Sequence, residues 1–540
     1  MTKAETNINW LMIEKYTKGG YWKNKTLCDF LEGILQRNPN KIAIVDGGRR
    51  LSFRDIDRLS NNLTRSLRKL GIKKGHVVSF QLPNWYQTAV LNVALTKLGT
   101  VINPIIPIYK EREVKFVLTQ AKSVAIFIPD VFRNFNYVEM IKEMRPDLPN
   151  LKYVIVVGET VPEGMIPMNK LLEGDGSPSP IEEVDPNDVK LLIYTSGTTA
   201  EPKGVQHTHN TLIWTALNDT SFTGLDENTV TFMPSPVTHI TGYCQALEFP
   251  FIIGLRAVLM DKWDPEKALE VIEKERCNYT IGATPFLQQM IDSPTLKDRN
   301  MPSPFLFLCG GAYIHPELIQ EAWKKGGFET YRVYGSTESP TITLGMGPME
   351  KAADTDGMVL NYEIQIVDFE NKPLPFGEEG EIVVRGPKLF VGYRNKDLNR
   401  EAFDEGGWFH TGDLGKLSPD GYLQITGRKK DIIIRGGENL SAAEIEDVLH
   451  LHPNIETAAA VAMPDQRLGE KVCAYVKLKE GTGLTVEEMI DFLRQHKLAK
   501  QKWPERLEFT DEFPMTASGK IKKHILRKDI ADKLGLPPVR

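Results

Sequence analysis

Between residues 41 and 105 the apolar positions switch repeatedly between two spacings. Short β-branched runs such as KIAIV (41–45) and HVVSF (76–80) predict strands, and the amphipathic stretches that follow each of them predict helices. The rhythm recurs in TVTFMPSPVTHITGYCQALEFPFIIGLRAVLM and in NYTIGATPFLQQMI, where an extended run precedes a helix-like one. VKLLIY (189–194) has the composition of a buried strand. This alternation predicts a layered α/β fold. From Met358 to about Arg385 the pattern changes: EIQIVD, then NKPLPFGEEG, then EIVVRG predict antiparallel strands joined by turn residues, and so a small β-rich subdomain.

A second change falls at GRKKD (427–431). Beyond it come IIIRGG, a helix opening near Ser441 with Glu444 at capping-box spacing, strands ETAAAVAM and KVCAYVKL, and a helix in TVEEMIDFLRQ. The expected division is an N-terminal body over 1–428 and a small α+β C-terminal domain over 429–540. A length of 540 residues suits several packed modules, roughly three to four at about 150 residues each.

Hydrophobic residues at 41%, charged residues at 25% and a net charge of -5 are ordinary globular values, without the field that favours nucleic acid or an anionic membrane. Small-molecule partners are therefore expected. Five scattered cysteines, never spaced CxxC, signal neither a disulfide framework nor a zinc site, which fits a reducing cytoplasm. The most apolar run, FPFIIGLRAVLM (249–260), is too short to span a bilayer and is broken by Arg256; the N-terminus lacks the apolar core of a signal peptide. Oligomeric state stays open.

TSGTTAEPKG (195–204) follows the VKLLIY strand. Counted from Gly197, Lys203 is in register with a P-loop lysine, but Pro202 replaces a glycine and Gly204 replaces the hydroxyl that binds magnesium. Such a loop can hold phosphates but needs its metal ligand from elsewhere. YRVYGSTESP (331–340) offers one, since a strand ending at Tyr334 delivers Gly335, the hydroxyls of Ser336 and Thr337, and the Glu338 carboxylate to a loop. GGWFHTGDLG puts Asp413 in a glycine-bounded turn able to meet ribose hydroxyls, and TASGKIKK offers Lys520. Each piece alone has an ordinary reading as a turn, a solvated carboxylate or a surface lysine, and His239 in SPVTHITG as a satisfied histidine, although it joins the catalytic candidates. Their order and combination argue otherwise.

Together YTSGTTAEPKG, YGSTES, GWFHTGD, GRKKDIIIRGGENLSAAEIE and SGKIKK resemble the adenylate-forming superfamily, over nearly the whole chain. Ala200 and Glu201 stand where that family usually has Gly and a variable residue, which should stiffen the loop. The resemblance implies an AMP-forming acyl-CoA synthetase using ATP, Mg²⁺ and coenzyme A: a carboxylate attacks the α-phosphorus, pyrophosphate leaves, and the thiolate of coenzyme A opens the acyl-adenylate. Two unit charges 4 Å apart repel by about 4 kcal/mol at an effective dielectric of 20, so cations and oriented donors are required. The resemblance gives Thr195, Ser196, Gly197, Thr198, Thr199 and Lys203 to the β- and γ-phosphates, Thr337 to the α-phosphate and Glu338 to Mg²⁺. It sets Gly311, Ala312 and Tyr334 around adenine, Asp413 and Arg428 on the ribose, and Lys520 across the developing adenylate. It makes Lys430 the hinge of a mobile C-terminal domain and Gly437 the glycine that lets pantetheine pass.

Amino-acid-activating members resemble one another in an acidic residue near the helix after the fourth motif, whereas PSPVTHITGYCQAL (234–247) has none. VTHITGYCQALEFPF, GATPFLQQM and FLCGGAYIHP most resemble short- and medium-chain fatty acyl-CoA synthetases and cyclohexanecarboxylate-CoA ligases, with apolar lining expected from Tyr243, Phe286 and Leu287. The reaction should be reversible, so that acyl-CoA, AMP and pyrophosphate regenerate ATP. The alternatives are a ligase that loads a carrier protein and a non-catalytic nucleotide sensor of the same fold.

Overall fold

The structure, a computed structural model, describes residues 10–195, 202–311, 314, 316–347, 349–515 and 520–539. The chain forms two compact units. One comprises Met1–Ala353, Leu360–Tyr362 and Gly386–Glu401; the other comprises Asp354–Val359, Glu363–Arg385 and Ala402–Arg540.

The first unit carries two large sheets. In one the strand order is Lys203–Thr208, Val189–Thr195, Val101–Pro104, Val77–Phe80, Ala125–Pro129, Tyr153–Val157, Ile166–Pro167, parallel except for Lys203–Thr208. Central parallel strands are covered on both faces, which is why Val77–Phe80, Val101–Pro104 and Ala125–Pro129 are buried at every position. In the other sheet Phe328–Tyr334, Phe305–Gly310, Tyr279–Gly282, Val230–Met233, Arg256–Leu259 and Ile42–Asp46 run parallel in that order. The helix Phe53–Lys69 opens with a capping box, the Ser52 hydroxyl accepting from the Asp55 amide at 3.1 Å while Asp55 returns to the Ser52 amide.

Residues 240–253 form one helical segment with a π-helical turn at Cys244–Glu248. Its start packs tightly on the preceding loop: a Cβ at Gly242 would collide with the carbonyl oxygens of Ser235 and Pro236, so only glycine fits. The end of its π-helical turn is fixed by a fully buried ion pair, Lys190 Nζ to Glu248 Oε1 at 2.6 Å.

The second unit begins with an antiparallel sheet, Glu363–Val367, Gly380–Arg385, Phe409–Leu417, Leu423–Arg428, as the 358–385 pattern predicts. A further sheet pairs the long strands Ile455–Asp465 and Gly469–Leu478 along their whole length, and Ile433–Arg435 and Arg506–Phe509 follow one another along the other edge of Gly469–Leu478. The helix Ala442–His450 is capped by Ser441, whose hydroxyl accepts the Glu444 amide at 3.4 Å. The Glu444 carboxylate does not close the expected capping box; it takes Lys502 instead, at 2.6 Å.

Candidate active site

In the first unit the register sets Thr195 opposite Lys203, where the strands Val189–Thr195 and Lys203–Thr208 pair antiparallel. Ser196, Gly197, Thr198 and Thr199 of that loop, and Ala312, lie outside the described residues. The parallel strands Phe305–Gly310 and Phe328–Tyr334 pair Gly310 with Val333, and this brings Gly311 and Tyr334 out side by side at the carboxyl edge of the sheet, where ligands of open α/β sheets bind. Gly311 has φ +87°, the left-handed turn that lets the chain leave the strand at once.

The loop that follows Tyr334 is held by its own hydrogen bonds and by distant side chains. The Ser336 amide donates to Ser339 O at 3.1 Å, and a Cβ at Gly335 would come within 2.6 Å of the Thr341 amide nitrogen. Thr337 O is 2.7 Å from Nε2 of His207, which is fully buried. Burial draws the His207 imidazole down to about 4, against the opposing hydrogen bond to Thr337, so the ring is neutral at pH 7 and donates from Nε2. Glu338 O accepts the Phe390 amide at 2.7 Å, and Glu338 Oε1 accepts the Tyr393 hydroxyl at 2.8 Å. Neither His207 nor Tyr393 was picked out by the motifs; both lie far from residues 337–338 in sequence, and no local spacing marks them.

Glu338 is the metal candidate, and its surroundings suit Mg²⁺. Oε1 is engaged by Tyr393, Oε2 faces no partner among the described residues, and the described residues hold no cluster of three ligating side chains. Mg²⁺ characteristically takes one or two carboxylates and completes its shell with substrate phosphates and water. His239 caps the helix that starts at Ile240, its carbonyl accepting the Tyr243 amide at 2.8 Å. Of the expected acid-pocket residues, Tyr243 and Leu287 expose no surface: Tyr243 donates its hydroxyl to Asn92 Oδ1 at 2.7 Å and Leu287 belongs to a core cluster. Phe286 stays half-buried and stacks on Trp263 with centroids 4.4 Å apart. Burial against core and burial against a ligand look alike in a sequence, and here core won for two of the three.

A cavity of about 520 Å³ in this unit, lined by Asp46, Arg49, Trp85, Tyr86, Asp130 and others, contains none of the candidate residues. The Asp130 carboxylate there is consumed by the amides of Val131, Glu159 and Thr160, and Asp46 accepts the Tyr86 amide.

In the second unit Asp413 and Arg428 sit opposite one another on neighbouring strands and pair at 3.0 Å. The turn before Asp413 is organised by Glu381, which takes His410 Nδ1 at 3.2 Å, Lys429 Nζ at 2.8 Å and the Gly412 amide at 3.3 Å. Burial would raise the Glu381 carboxyl, but the bonds from His410 and Lys429 outweigh it and hold it low. Lys430 follows in the short turn Lys429–Asp431 and is exposed. The protein crowded around it, then the Arg428 and Arg527 guanidiniums, draw its ammonium down to about 8, opposed by Asp431 and Asp413; contact with water screens much of this. Asp431 pairs with Arg527 at 3.0 Å and Lys523 with Glu446 at 2.7 Å, pinning the helix Lys523–Leu534. Lys520 precedes that helix, half-buried, beside the bridge Met515 to Ile521. Gly437 has φ +92° and open space where a side chain would begin, so its backbone angle, not crowding, demands glycine in this arrangement.

The family model described as AMP-binding enzyme matches residues 31–394, and that of the AMP-binding enzyme C-terminal domain matches 444–520. The chain is 36% identical to a medium-chain fatty-acid–CoA ligase of Escherichia coli (strain K12), over 96% of this chain and 93% of that protein. It is 31% identical to a 2,3-dihydroxybenzoate-AMP ligase of Bacillus subtilis (strain 168), over 97% of both. Among solved structures it is similar to ATP-bound MatB from Rhodopseudomonas palustris, with a TM-score of 0.85 at 25% identity, covering 94% of this chain and 100% of that one. Two family models that between them take up most of the sequence, and relatives named as CoA ligases that match nearly all of it, lead to one conclusion: the chain belongs to the AMP-binding enzyme family of adenylate-forming proteins and is an AMP-forming acid–thiol ligase.

Proposed function

We propose that the enzyme converts a short- or medium-chain or alicyclic carboxylic acid, cyclohexanecarboxylate among them, to its CoA thioester. One observation carries the exclusion of amino acids. Among the described residues the two carboxylates that act on the helical segment at Cys244, Glu248 and Asp219, are buried and neutralised by Lys190 and Lys388, so neither is left to pair with a substrate ammonium. Burying an ammonium without a partner would cost several kcal/mol. The medium-chain fatty-acid–CoA ligase among the relatives supports the same substrate class.

In the proposed reaction an acid oxygen bonds to the α-phosphorus of ATP and the bond to the pyrophosphate oxygen breaks, its electron pair leaving with pyrophosphate. The thiolate of coenzyme A then attacks the acyl carbon and AMP departs with the carbon–oxygen electron pair. Lys203 and the hydroxyls of the 195–199 loop would hold the β- and γ-phosphates, Thr337 the α-phosphate, and Lys520 the charge that grows between them. Mg²⁺, held by Glu338, would supply neutralisation of the polyphosphate charge. Gly311, Ala312 and Tyr334 would frame the adenine, with Gly335 and Ser336 shaping the loop; Asp413, kept in register by Arg428, would take the ribose. His239 would stand at the acid end. Lys430 would act as the hinge by which the 429–540 domain turns between half-reactions, exchanging Lys520 for the Gly437 passage. Five buried free cysteines support a cytoplasmic setting.

The test is a panel of C4 to C10 linear, cyclic and aromatic acids scored for CoA-dependent AMP formation. C6 to C8 acids should outrun acetate, palmitate and every amino acid; a strong preference for acetate or an amino acid rejects the reading. The second reading is a carrier protein as acceptor instead of coenzyme A, and a relative named salicyl-AMP ligase / salicyl-S-ArCP synthetase supports it. AMP release that ignores coenzyme A but rises with an acyl carrier protein would favour it. ATP formed from acyl-CoA, AMP and excess pyrophosphate would establish reversal.

A further inference from the structure

We infer that Tyr393 is a positioning residue for Glu338, setting the orientation in which that carboxylate meets the cation of MgATP. The inference rests on the reading of Glu338 as the Mg²⁺ ligand.

Residues 390–394 run along the strand Lys203–Thr208 as an added edge. The Val391 amide donates to Gln206 O at 2.9 Å, the Gln206 amide to Gly392 O at 3.2 Å and the Arg394 amide to Gly204 O at 2.7 Å, with Val205 bridged to Tyr393. This register turns the Tyr393 ring towards two candidate groups at once. Its hydroxyl donates to Glu338 Oε1 at 2.8 Å, and Lys203 Nζ lies 5.2 Å from its ring centroid, within cation–π range. Tyr393 as a whole is 3% exposed. The Tyr393 amide donates to Asn399 Oδ1 at 2.7 Å, Asn399 Nδ2 returns to Tyr393 O at 3.3 Å, and the Phe390 ring packs on it with centroids 4.8 Å apart. The same segment holds the Glu338 backbone through the Phe390 amide. Tyr393 is therefore a fixed donor and Glu338 the adjustable acceptor.

A carboxylate on a loop rotates freely unless one oxygen is tied. Here the phenol ties Oε1 through a charge-assisted bond, and Oε2 is left without a partner among the described residues. A cation with strict geometry gains from that arrangement, because the ligand does not have to be ordered on binding.

The experiment titrates Mn²⁺ into protein with α,β-methylene-ATP, read by calorimetry, for wild type, Tyr393→Phe, Glu338→Gln and the double variant. Outer-shell partners of metal ligands characteristically change affinity by about 10- to 100-fold. Tyr393→Phe should weaken Mn²⁺ about tenfold, Glu338→Gln more, and the double variant no more than Glu338→Gln alone. Thioester formation from supplied acyl-adenylate should be unchanged in Tyr393→Phe, and its KM for MgATP should rise with little change in kcat. If Glu338→Gln leaves Mn²⁺ binding intact, the metal reading of the site fails. If Glu338→Gln weakens binding but Tyr393→Phe does not, or if the two losses add in full, the role of Tyr393 fails while the metal reading stands. A Phe variant with a lower unfolding midpoint and wild-type Mn²⁺ affinity also overturns it.

Discussion

Replacing Lys190 by Met tests how the helical segment beginning beside His239 is anchored. The pair it breaks is 1% and 0% exposed at Lys190 and Glu248, with Nζ and Oε1 2.6 Å apart. Oε1 also accepts Asn92 Nδ2 at 3.1 Å, while Oε2 has no hydrogen-bond partner among the described residues. Without the ammonium, Glu248 either stays charged in a site water does not reach, at a cost of about 3–5 kcal/mol, or takes up a proton. In the second case its folded-state pKa rises above the unfolded value of about 4.3. A carboxyl of that kind binds more protons folded than unfolded, so the stability of the variant falls as pH rises between the two pKa values. The loss relative to wild type should thus be small near pH 5 and reach about 3–5 kcal/mol at pH 8. Lys190→Met with Glu248→Gln should recover most of it, since no buried charge is left. Urea unfolding at several pH values, with the transition of the first unit fitted separately because two units need not unfold together, gives the numbers. A loss below about 1 kcal/mol at pH 8, or a pH-independent loss that the double variant fails to recover, would refute the reasoning.

Three further outcomes are expected. Gly335→Ala sets a methyl against the backbone at Ser339 and Thr341, so the loop must shift: adenylation should drop by about tenfold or more with about 1–3 kcal/mol lost in unfolding, and wild-type kinetics would contradict this. His207 is neutral and buried when folded but titrates near 6.5 when unfolded, so stability should decline as pH falls from about 6.5 to 4, by about 3 kcal/mol in total; His207→Gln should lack that share, and parallel urea-midpoint curves for the two proteins would count against it. Lys520→Ala should abolish acyl-adenylate formation and spare thioester formation from supplied adenylate, whereas Gly437→Leu should do the reverse. Because Gly437 sits at φ +92°, Gly437→Ala is the needed control: it should carry the backbone strain, about 1 kcal/mol, without the loss of thioester formation, and equal damage from Ala and Leu would make strain the cause.

Period and turn chemistry made the elements legible. VKLLIY is the buried strand its composition predicts, EIQIVD and EIVVRG pair antiparallel, and Ser441 caps its helix. Those features depend on residues a few positions apart. What the sequence withheld depends on residues far apart. His207 reaches Thr337, Tyr393 reaches Glu338 and Glu381 gathers His410 and Lys429, and each contact exists only once strands have found their register. The family resemblance assigns Asp413 and Arg428 one by one, but their mutual pairing follows from the register of two antiparallel strands. Tyr243 and Leu287 misled for a simpler reason: hydrophobicity reports burial without saying whether protein or ligand does the burying.

The edge strand Lys203–Thr208 is covered by residues 390–394, which the ribosome delivers long afterwards. Roughly 190 residues separate the end of that strand from Glu401, where the first unit is complete, and at about 5–20 residues per second they take about 10–40 s to make. For that interval a nascent chain presents unpaired amides and carbonyls along a ready-made edge, the surface on which strands of other chains add. The intervening Glu363–Arg385 belongs to the other unit, so the first unit is finished only after part of the second has been synthesised. The Tyr393 hydroxyl that Glu338 accepts arrives with that late segment. Synthesis therefore leaves the growing polypeptide with the Glu338 carboxylate untied until the edge is closed, so the same late segment ends both the exposure of the edge and the freedom of that side chain.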